Sequence, residues 1–363
     1  MHVAHVVTYI SSDAAFGGPV SVALGQAKEL ASRGHQVDVW AGWDGSYVPQ
    51  IPGVRFRLFR VARLSRRSFA GLIAPRLLGA FWRERSKYDA VHVHLARDLI
   101  SLPAALLVRH STLVVQTHGM IIPDGRISVR VIDFAVRRVM RGARAIALTD
   151  TERAKLVAVT RGRVGHVSVI GNGVDVTHMG VEGVQRSRNE VLFLARLNPR
   201  KNVLGFAEAA RQILRTGKNT TFAICGPDEG QLTPLTEFLT EHGMASSVRY
   251  EGAIAPQDVG DRLASSTVFV LPSRNEPFPM TVLEALASGT PVVIDPSCEI
   301  SDRLMKHDAA VVTDGTNEGL AAAINLLLDN AAERTRLATN GRIALQEEFD
   351  IRSVVRKLEV LYR

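Results

Sequence analysis

The chain has 363 residues, of which 46% are hydrophobic and 22% charged, and a formal net charge of +8. That length exceeds one compact core of ordinary size and predicts two domains, and the composition excludes a disordered or low-complexity chain. The charge is uneven: residues 1–180 hold 24 Lys and Arg against 12 Asp and Glu, whereas the remainder holds 20 against 24.

Short β-branched runs alternate with amphipathic ones along the whole chain. In the first half, strands are predicted at Val3–Tyr9, Gln36–Ala41, Ala90–His94, Thr112–Thr117, Ala145–Leu148 and Val167–Ile170. A helix from about Val20 to Arg33 repeats apolar residues at Val20, Leu24, Ala27, Leu30 and Ala31 and stops at Gly34, the position where a helix end favours glycine. A turn-prone seam follows at Asn172-Gly-Val-Asp175, and Val176–Asn189 is polar and irregular, as a linker is. In the second half, strands are predicted at Glu190–Ala195, Thr221–Cys225, Val248–Tyr250, Thr267–Leu271, Pro291–Ile294 and Ala310–Val312. Helices are predicted over residues 202–216, 231–242, 256–265, 281–288, 300–306 and 316–329. This order implies an α/β protein of two doubly wound parallel sheets, in domains 1–175 and 184–348, with ligands in a cleft bounded by the carboxyl ends of the strands. Phe349–Arg363 closes the chain with a helical stripe of Ile351, Val354, Val355, Leu358 and Leu361.

Cys225 and Cys298 are far apart and each lies in or beside an apolar run, which argues for buried thiols in a reducing compartment rather than a disulfide or zinc site. Met1-His-Val-Ala-His lacks the basic start and apolar core of a signal peptide, and no run of about 18 apolar residues occurs, so a cytoplasmic location is expected. The densest basic stretch, Arg55 to Arg85, interleaves Arg55, Arg57, Arg60, Arg63, Arg66, Arg67, Arg76, Arg83 and Arg85 with Phe69, Leu72, Ile73, Leu77, Leu78, Phe81 and Trp82. Such a mixture suits an anionic membrane surface or an anionic acceptor; a solvated arginine face is the competing reading. No nucleic-acid recognition motif accompanies the charge.

Four segments carry candidate chemistry. Phe16-Gly17-Gly18-Pro19 follows the first strand and opens the first helix, where glycines let backbone N–H groups approach a phosphate. It matches neither the dinucleotide fingerprint nor the P-loop. His118 ends a first-domain strand, placed to donate to a sugar hydroxyl or phosphate. His92 and His94 share one strand face, but no third ligand at suitable spacing accompanies them, so no metal is expected. Arg196-Leu-Asn-Pro-Arg200-Lys201 follows the strand at Glu190–Ala195 and offers two cations, Arg196 and Lys201, to a diphosphate. Glu276-Pro-Phe-Pro-Met-Thr-Val-Leu-Glu284 leaves a strand and opens a helix, putting carboxylates where hydroxyls and amides meet a bound ligand. A solvated loop with a dipole-complementing glutamate is the plainer reading of that last spacing.

In order and spacing, these segments resemble the family-four retaining glycosyltransferases of the GT-B fold over nearly the whole chain. Gly17-Gly18 with Arg33-Gly34-His35 is similar to the family's first loop and helix, Asn172-Gly173-Val174-Asp175 to its inter-domain hallmark, Arg196 and Lys201 to its diphosphate-binding pair, and Glu276 to Glu284 to its E-x7-E motif. The resemblance implies two Rossmann-like domains, the first binding acceptor and the second a UDP- or GDP-sugar, with helix 349–363 returning to the first. It implies that Glu276 contacts donor-sugar hydroxyls, Glu284 holds the ribose, Arg196 and Lys201 grip the diphosphate opposite the Gly17 and Gly18 amides, and His118 lies near the transferred sugar. Gly226 and Glu251-Gly252-Ala253-Ile254 fall where the family lines its base pocket. Pro277 and Pro279 stand where many members carry glycine, leaving Phe278, Met280 and Thr281 as amide donors. The implied activity is transfer of a sugar to an acceptor hydroxyl without a cofactor; the basic stretch Arg55–Arg85, rather than the resemblance, favours a lipid-linked or membrane-proximal acceptor and peripheral attachment to a membrane, with a soluble glycan or small-molecule acceptor as the alternative. A nucleotide-sugar epimerase or phosphorylase on the same fold, and a catalytically silent partner subunit, are the alternatives.

Overall fold

A computed structural model describes residues 1–11, 17–46, 48–63, 71–176 and 189–363. The chain divides into two compact units, the first of Met1–Gly173 with Ile351–Arg363 and the second of Val174–Asp350. The linker expected at 176–189 lies almost wholly outside the described residues, as do Phe16, Arg66, Arg67 and Phe69.

Unit 1 contains β1 (His2–Ile10), β2 (Gln36–Trp43), β3 (Val54–Arg60), β4 (Ala62–Arg63), β5 (Leu72–Ile73), β6 (Ala90–His94), β7 (Leu113–Gln116), β8 (Arg144–Ala147) and β9 (Val167–Val169). Its helices are α1 (Gly17–Ser32), α2 (Pro75–Glu84), α3 (Ser101–Leu106), α4 (Ile127–Met140), α5 (Asp150–Thr160) and the terminal helix Ile351–Tyr362. Seven strands form one parallel sheet in the order β3-β2-β1-β6-β7-β8-β9, while β4 and β5 form a separate antiparallel ribbon. Parallel neighbours require crossover helices, which cover both sheet faces and make the strands apolar on both sides. Eight of the nine residues of β1 are buried accordingly. One face carries Val3, Val7 and Val39 against Ala23, Ala27 and Leu30 of α1 and against Val354, Val355 and Leu358 of the terminal helix. The opposite face packs Val6, Val93 and Val115 with Phe81 and Val136.

The glycine stop of α1 is a Schellman closure: Gly34, at φ 85°, donates to the Ala31 carbonyl at 3.0 Å and His35 donates to Leu30 at 3.1 Å. α1 begins at Gly17, a turn before the predicted start, because neither glycine there interrupts the helix.

The third strand, β3, is absent from the sequence reading. Its alternation Val-Arg-Phe-Arg-Leu-Phe-Arg has the two-residue period of a strand, but the density of arginine drew the segment into a basic stretch. Arg55 pairs with Asp38 of β2, its register partner, at 2.5 Å. Arg57 pairs with Glu84 of α2 and lies 4.7 Å over the Trp40 ring. Among the described residues, Arg55 to Arg85 comprises the edge strand β3, the β4–β5 ribbon and α2, and its first arginines pair with Asp38 and Glu84.

Unit 2 contains β10 (Glu190–Leu194), β11 (Thr221–Cys225), β12 (Val248–Gly252), β13 (Val268–Leu271), β14 (Val292–Ile294) and β15 (Val311–Val312). These form a six-stranded parallel sheet in the order β12-β11-β10-β13-β14-β15. The helices are α6 (Val203–Arg215), α7 (Leu232–Glu241), α8 (Val259–Ala264), α9 (Met280–Ala287), α10 (Ser301–Lys306), α11 (Asn317–Asp329) and α12 (Ala331–Glu348). Phe193, Phe206, Phe222 and Ile324 centre the core between the sheet, α6 and α11. The helix α12 is an addition to the sequence reading; its apolar residues are too sparse to form a clear stripe. Cys225 and Cys298 are buried free thiols.

The terminal helix is fastened to unit 1 by polar contacts as well as burial. Arg33 donates to both oxygens of Glu359 at 2.9 and 2.8 Å, His35 lies 2.8 Å from Glu359 Oε1, and Arg144 donates to the Leu361 carbonyl at 2.6 Å. The Arg33 hydrogen bonds hold the Glu359 carboxyl down at about 2. A depressed carboxyl stabilises the folded state above its unfolded value and loses that contribution as pH falls. Glu359→Gln should therefore lower the melting temperature at neutral pH, and the gap from wild type should narrow between pH 4.5 and about 2. A gap that stays constant through acid titration, followed by circular dichroism, would show that charge at Glu359 contributes nothing.

Candidate active site

In each unit the strand order reverses beside the first strand, between β1 and β6 and between β10 and β13. Loops leaving the carboxyl ends on either side of such a point diverge and leave room for a ligand. In unit 2 those loops carry Arg196–Lys201 and Ser273–Glu276.

The loop after β10 is held in place by the loop after β11. Leu197 donates to the Pro227 carbonyl at 2.9 Å and Glu229 donates back to Leu197 at 3.1 Å. Gly226 passes so close that a Cβ there would lie 1.9 Å from the Ala195 carbonyl oxygen, and its φ of 137° suits glycine alone. Pro199–Lys201 forms a single 3₁₀ turn, started by the Asn198 side chain, which accepts from the Lys201 amide at 3.3 Å. Asn202 follows in the left-handed region at φ 56° and starts α6.

This tight turn sends the two expected cations to different carboxylates. Lys201 is buried and donates to Glu276 Oε2 at 2.6 Å; Ser273 donates to the same oxygen at 2.7 Å. The Arg200 guanidinium lies 3.7 Å from Glu276 Oε1. Arg196 is half-exposed and donates to Glu229 at 2.8 Å, whose other oxygen accepts from Asn198 at 2.8 Å. Burial raises the Glu276 carboxyl, but the charges of Lys201 and Arg200 outweigh it and leave the group below its usual range. Burial likewise lowers the Lys201 ammonium beyond what Glu276 restores, with Arg200 and Arg196 adding repulsion. Three cations, Arg196, Arg200 and Lys201, are thus shared between two acids, Glu229 and Glu276. Arg200 and Glu229 have no role in the sequence reading; adjacency to Lys201 is the only local signal for the first, and the second is 33 residues from Arg196.

The glutamate loop continues from Glu276 through Pro277–Pro279 into α9. Glu276 is anchored at its backbone by the Glu299 amide at 2.9 Å, and Asn275, at φ 50°, donates its amide to Ser297 at 2.8 Å. Phe278 is buried with its ring edge-on to Phe349 at 5.9 Å, so its side chain fixes the loop. The amides of Phe278, Met280 and Thr281 have no hydrogen-bond partner among the described residues, and the last two are the first turn of α9. Glu284 lies one turn further on, inside the helix. Its carboxylate makes no hydrogen bond among the described residues, and burial pushes it up to about 7. On the far side of β10, Gly226 donates to Gly252 at 2.7 Å and Tyr250 donates to the Gly226 carbonyl at 2.8 Å, bringing together the segments expected to line a base pocket. Ile254 is half-buried beyond them, while Glu251 is taken by Arg262 at 2.9 Å.

In unit 1, His118 follows β7 with a left-handed backbone, φ 51°. The buried Glu152 of α5 holds that turn, accepting from Thr117 Oγ1 and the Gly119 amide at 2.5 Å each and from the Leu148 amide at 2.7 Å. Glu152 escaped the sequence reading because it lies 35 residues from Thr117. His118 Nε2 meets His94 Nδ1 at 2.7 Å, and His94 Nε2 meets His5 Nδ1 at 3.0 Å. His5 supplies the third histidine that the sequence spacing lacked: it is the register partner of His92, and His5, His92 and His94 each bring a nitrogen within 4.8 Å of the others. Both nitrogens of His94 are occupied, so a cation bound there would break one of these contacts. Burial holds His5 and His118 at about 3, so both are neutral near pH 7. Gly17 and Gly18 open α1; a Cβ on Gly18 would meet nothing within 4 Å, so packing does not demand glycine there.

Paired parallel sheets with loops of this kind define the GT-B architecture. Residues 17–173 match the glycosyl transferase 4-like domain and residues 177–344 match the glycosyl transferases group 1. The chain is 29% identical over 204 residues to glycogen synthase of Mycobacterium tuberculosis, covering 55% of this chain but only 49% of that protein. It is 24% identical over 389 residues to D-inositol 3-phosphate glycosyltransferase of Corynebacterium efficiens, covering 95% of this chain and 90% of that one. Among solved structures, Anabaena HepE in complex with UDP and glucose superposes with a TM-score of 0.75 at 18% identity, over 99% of this chain and 98% of that chain. The chain belongs to the family-four glycosyltransferases of the GT-B fold.

A neutral imidazole carries one N–H, so the contacts along His5, His94 and His118 admit only two arrangements. All three rings are protonated on Nδ1, or all three on Nε2. The second would bury an unpaired N–H at His5 Nε2, which has no partner among the described residues; the first leaves only a bare acceptor there. Imidazole 15N spectra should show Nδ1–H at all three, with His118 Nδ1–H left as a free donor. Mixed tautomers among the three would refute the chain.

Proposed function

We propose that the protein transfers a sugar from a UDP- or GDP-sugar to an acceptor hydroxyl with retention at the anomeric carbon. The observation that carries this reading is the buried Lys201–Glu276 pair at the reversal point of the unit-2 sheet, flanked by Arg196 and Arg200. A buried carboxylate and ammonium, beside amides with no partner among the described residues, suit a ligand that combines hydroxyls with anionic charge. HepE, a neighbour in fold, binds UDP and glucose, which supports the same ligand class.

In this reading Glu276 accepts from hydroxyls of the transferred sugar and Glu284 from the ribose. Lys201 and Arg196 face the diphosphate, and Arg200 adds charge. The amides of Phe278, Met280 and Thr281, at the positive end of α9, complete the contacts that Pro277 and Pro279 cannot make. Gly226 and Ile254 border the base, and the Gly17 and Gly18 amides are assigned to the diphosphate. His118, whose Nδ1 has no partner among the described residues, is assigned to the transferred sugar. The acceptor oxygen bonds to the anomeric carbon as the bond to the diphosphate breaks on the same face, and the departing phosphate oxygen takes the acceptor's proton. Negative charge grows on the diphosphate along this path, so Lys201 and Arg196 act most strongly in the transition state. No cofactor is assigned a part. The acceptor is proposed to be membrane-proximal, a reading supported by the basic excess of residues 1–180.

Lys201→Ala and Arg196→Ala should each lower kcat by roughly 10²-fold or more, measured as UDP or GDP release, as expected for loss of a preorganised charge. Unchanged turnover in both would remove the diphosphate assignment. Glu284 offers a second check because its carboxyl titrates near 7. If the ionised form accepts from ribose, UDP-glucose, whose diphosphate does not titrate in this range, should bind about tenfold more weakly at pH 6 than at pH 8, and Glu284→Gln should flatten that slope. Calorimetry giving equal slopes for wild type and variant would count against the ribose role.

A further inference from the structure

The outward face of α4 belongs to no site described so far. Ile127, Val131 and Phe134 are 78%, 70% and 70% exposed, and Ile122 in the preceding loop is 46% exposed. At 3.6 residues per turn, Ile127, Val131, Phe134 and Arg138 fall within an arc of about 60°, with Arg130 and Arg141 along one edge. The opposite side of the helix, Val129, Val136, Val139 and Met140, is buried in unit 1. Three large apolar side chains in a row on the exposed side are therefore an addition to a helix whose core face is already complete.

The charge on this face has one sign. The only acid in α4, Asp133, is buried and pairs with Arg97 at 2.8 Å, and Asp124 before the helix is taken by Arg126 at 2.7 Å. Arg130, Arg138 and Arg141 are exposed and pair with no carboxylate among the described residues. Long guanidinium side chains beside an apolar stripe can reach phosphate groups while the stripe enters the acyl boundary. A second copy of this face would set arginine against arginine, whereas an anionic bilayer complements its single sign of charge. We infer that α4 is a docking face for an anionic lipid bilayer, seating Ile127, Val131 and Phe134 in the interface with Arg130, Arg138 and Arg141 on lipid phosphates. This locates the membrane contact on α4 rather than on Arg55–Arg85, whose first two arginines are bound to Asp38 and Glu84. The loop from His118 leads directly into α4, so the docking rests on the glycosyl-transfer reading for its purpose: it would bring the acceptor side of unit 1 to a membrane.

The full chain should co-sediment with phosphatidylcholine vesicles containing phosphatidylglycerol, stay in solution with pure phosphatidylcholine, and dissociate at about 500 mM salt. Ile127→Ser with Phe134→Ser, and separately Arg130→Ala with Arg138→Ala, should each weaken binding at least tenfold. Arg76→Ala with Arg83→Ala on α2 should leave it unchanged. Thermal melts of each variant establish that it is folded. Equal binding to neutral and anionic vesicles, α4 variants that bind like wild type, or light scattering that shows Phe134→Ser turning a dimer into a monomer would overturn the inference. Binding of UDP and of GDP by the same proteins separates the two readings: absence of both from wild type with vesicle binding intact defeats the transfer reading and leaves the docking face standing.

Discussion

Parallel strands cannot be joined by tight turns, and this constraint organises both units. Each strand must be followed by a crossover that returns the chain to the same end, so every loop leaving a carboxyl end gathers on one side of the sheet. Where the order reverses beside β1 and β10, crossovers depart in opposite directions and leave those loops without a helix over them. Residues far apart in the chain then meet: Lys201 with Glu276, Gly226 with Ala195, and His118 with His94. The apolar strands behind them are buried on both faces, which makes the platform stiff.

The candidate site is built from groups whose ordinary solvation has been removed. Taking a carboxylate and an ammonium out of water is costly, and Lys201 with Glu276 recovers that cost only through close geometry and the added hydrogen bond from Ser273. Glu284, with no hydrogen-bond partner among the described residues, is instead pushed up toward neutrality by burial. The neighbouring carboxylates thus respond in opposite directions to the same burial, one kept ionised by adjacent cations and the other brought close to protonation. The histidines of unit 1 show a third response: neutral rings linked nitrogen to nitrogen, so that one proton's position determines the others.

The distribution of charge separates structural from available cations. Arg55 and Arg57 are fixed on Asp38 and Glu84, and Arg33 on Glu359, where they join β3, α2 and the terminal helix to unit 1. Those of α4 have no such partner among the described residues, although in sequence the two groups are equally basic. An arginine count therefore describes an electrostatic tendency of the first 180 residues, while the identity of nearby acids decides which arginines are free to act.

Most elements were legible because their signals are local. Period-two and period-3.6 apolar patterns place the predicted strands within a residue or two and α1, α6–α11 and the terminal helix within three, whereas β3–β5, α2–α5 and α12 are absent from that reading; Gly34 marks the end of α1 by its left-handed geometry. The ordered segments Arg196–Lys201 and Glu276–Glu284 identified the family, since loops after strands keep their chemistry in short contiguous runs. β3 was hidden because its alternate residues are arginine, whose role depends on Asp38 and Glu84 rather than on neighbours in the chain. Tertiary structure alone decided that Arg196 faces Glu229, that Arg200 joins Lys201 at Glu276, that Glu152 holds the His118 turn, and that His5 completes the histidine chain. The sequence by itself determined the two-sheet α/β class and the positions of the loops, because backbone periodicity and turn chemistry act over a few residues. Pairing across strands, burial and the resulting protonation states act over tens to hundreds of residues, and only the folded chain brings those partners within reach.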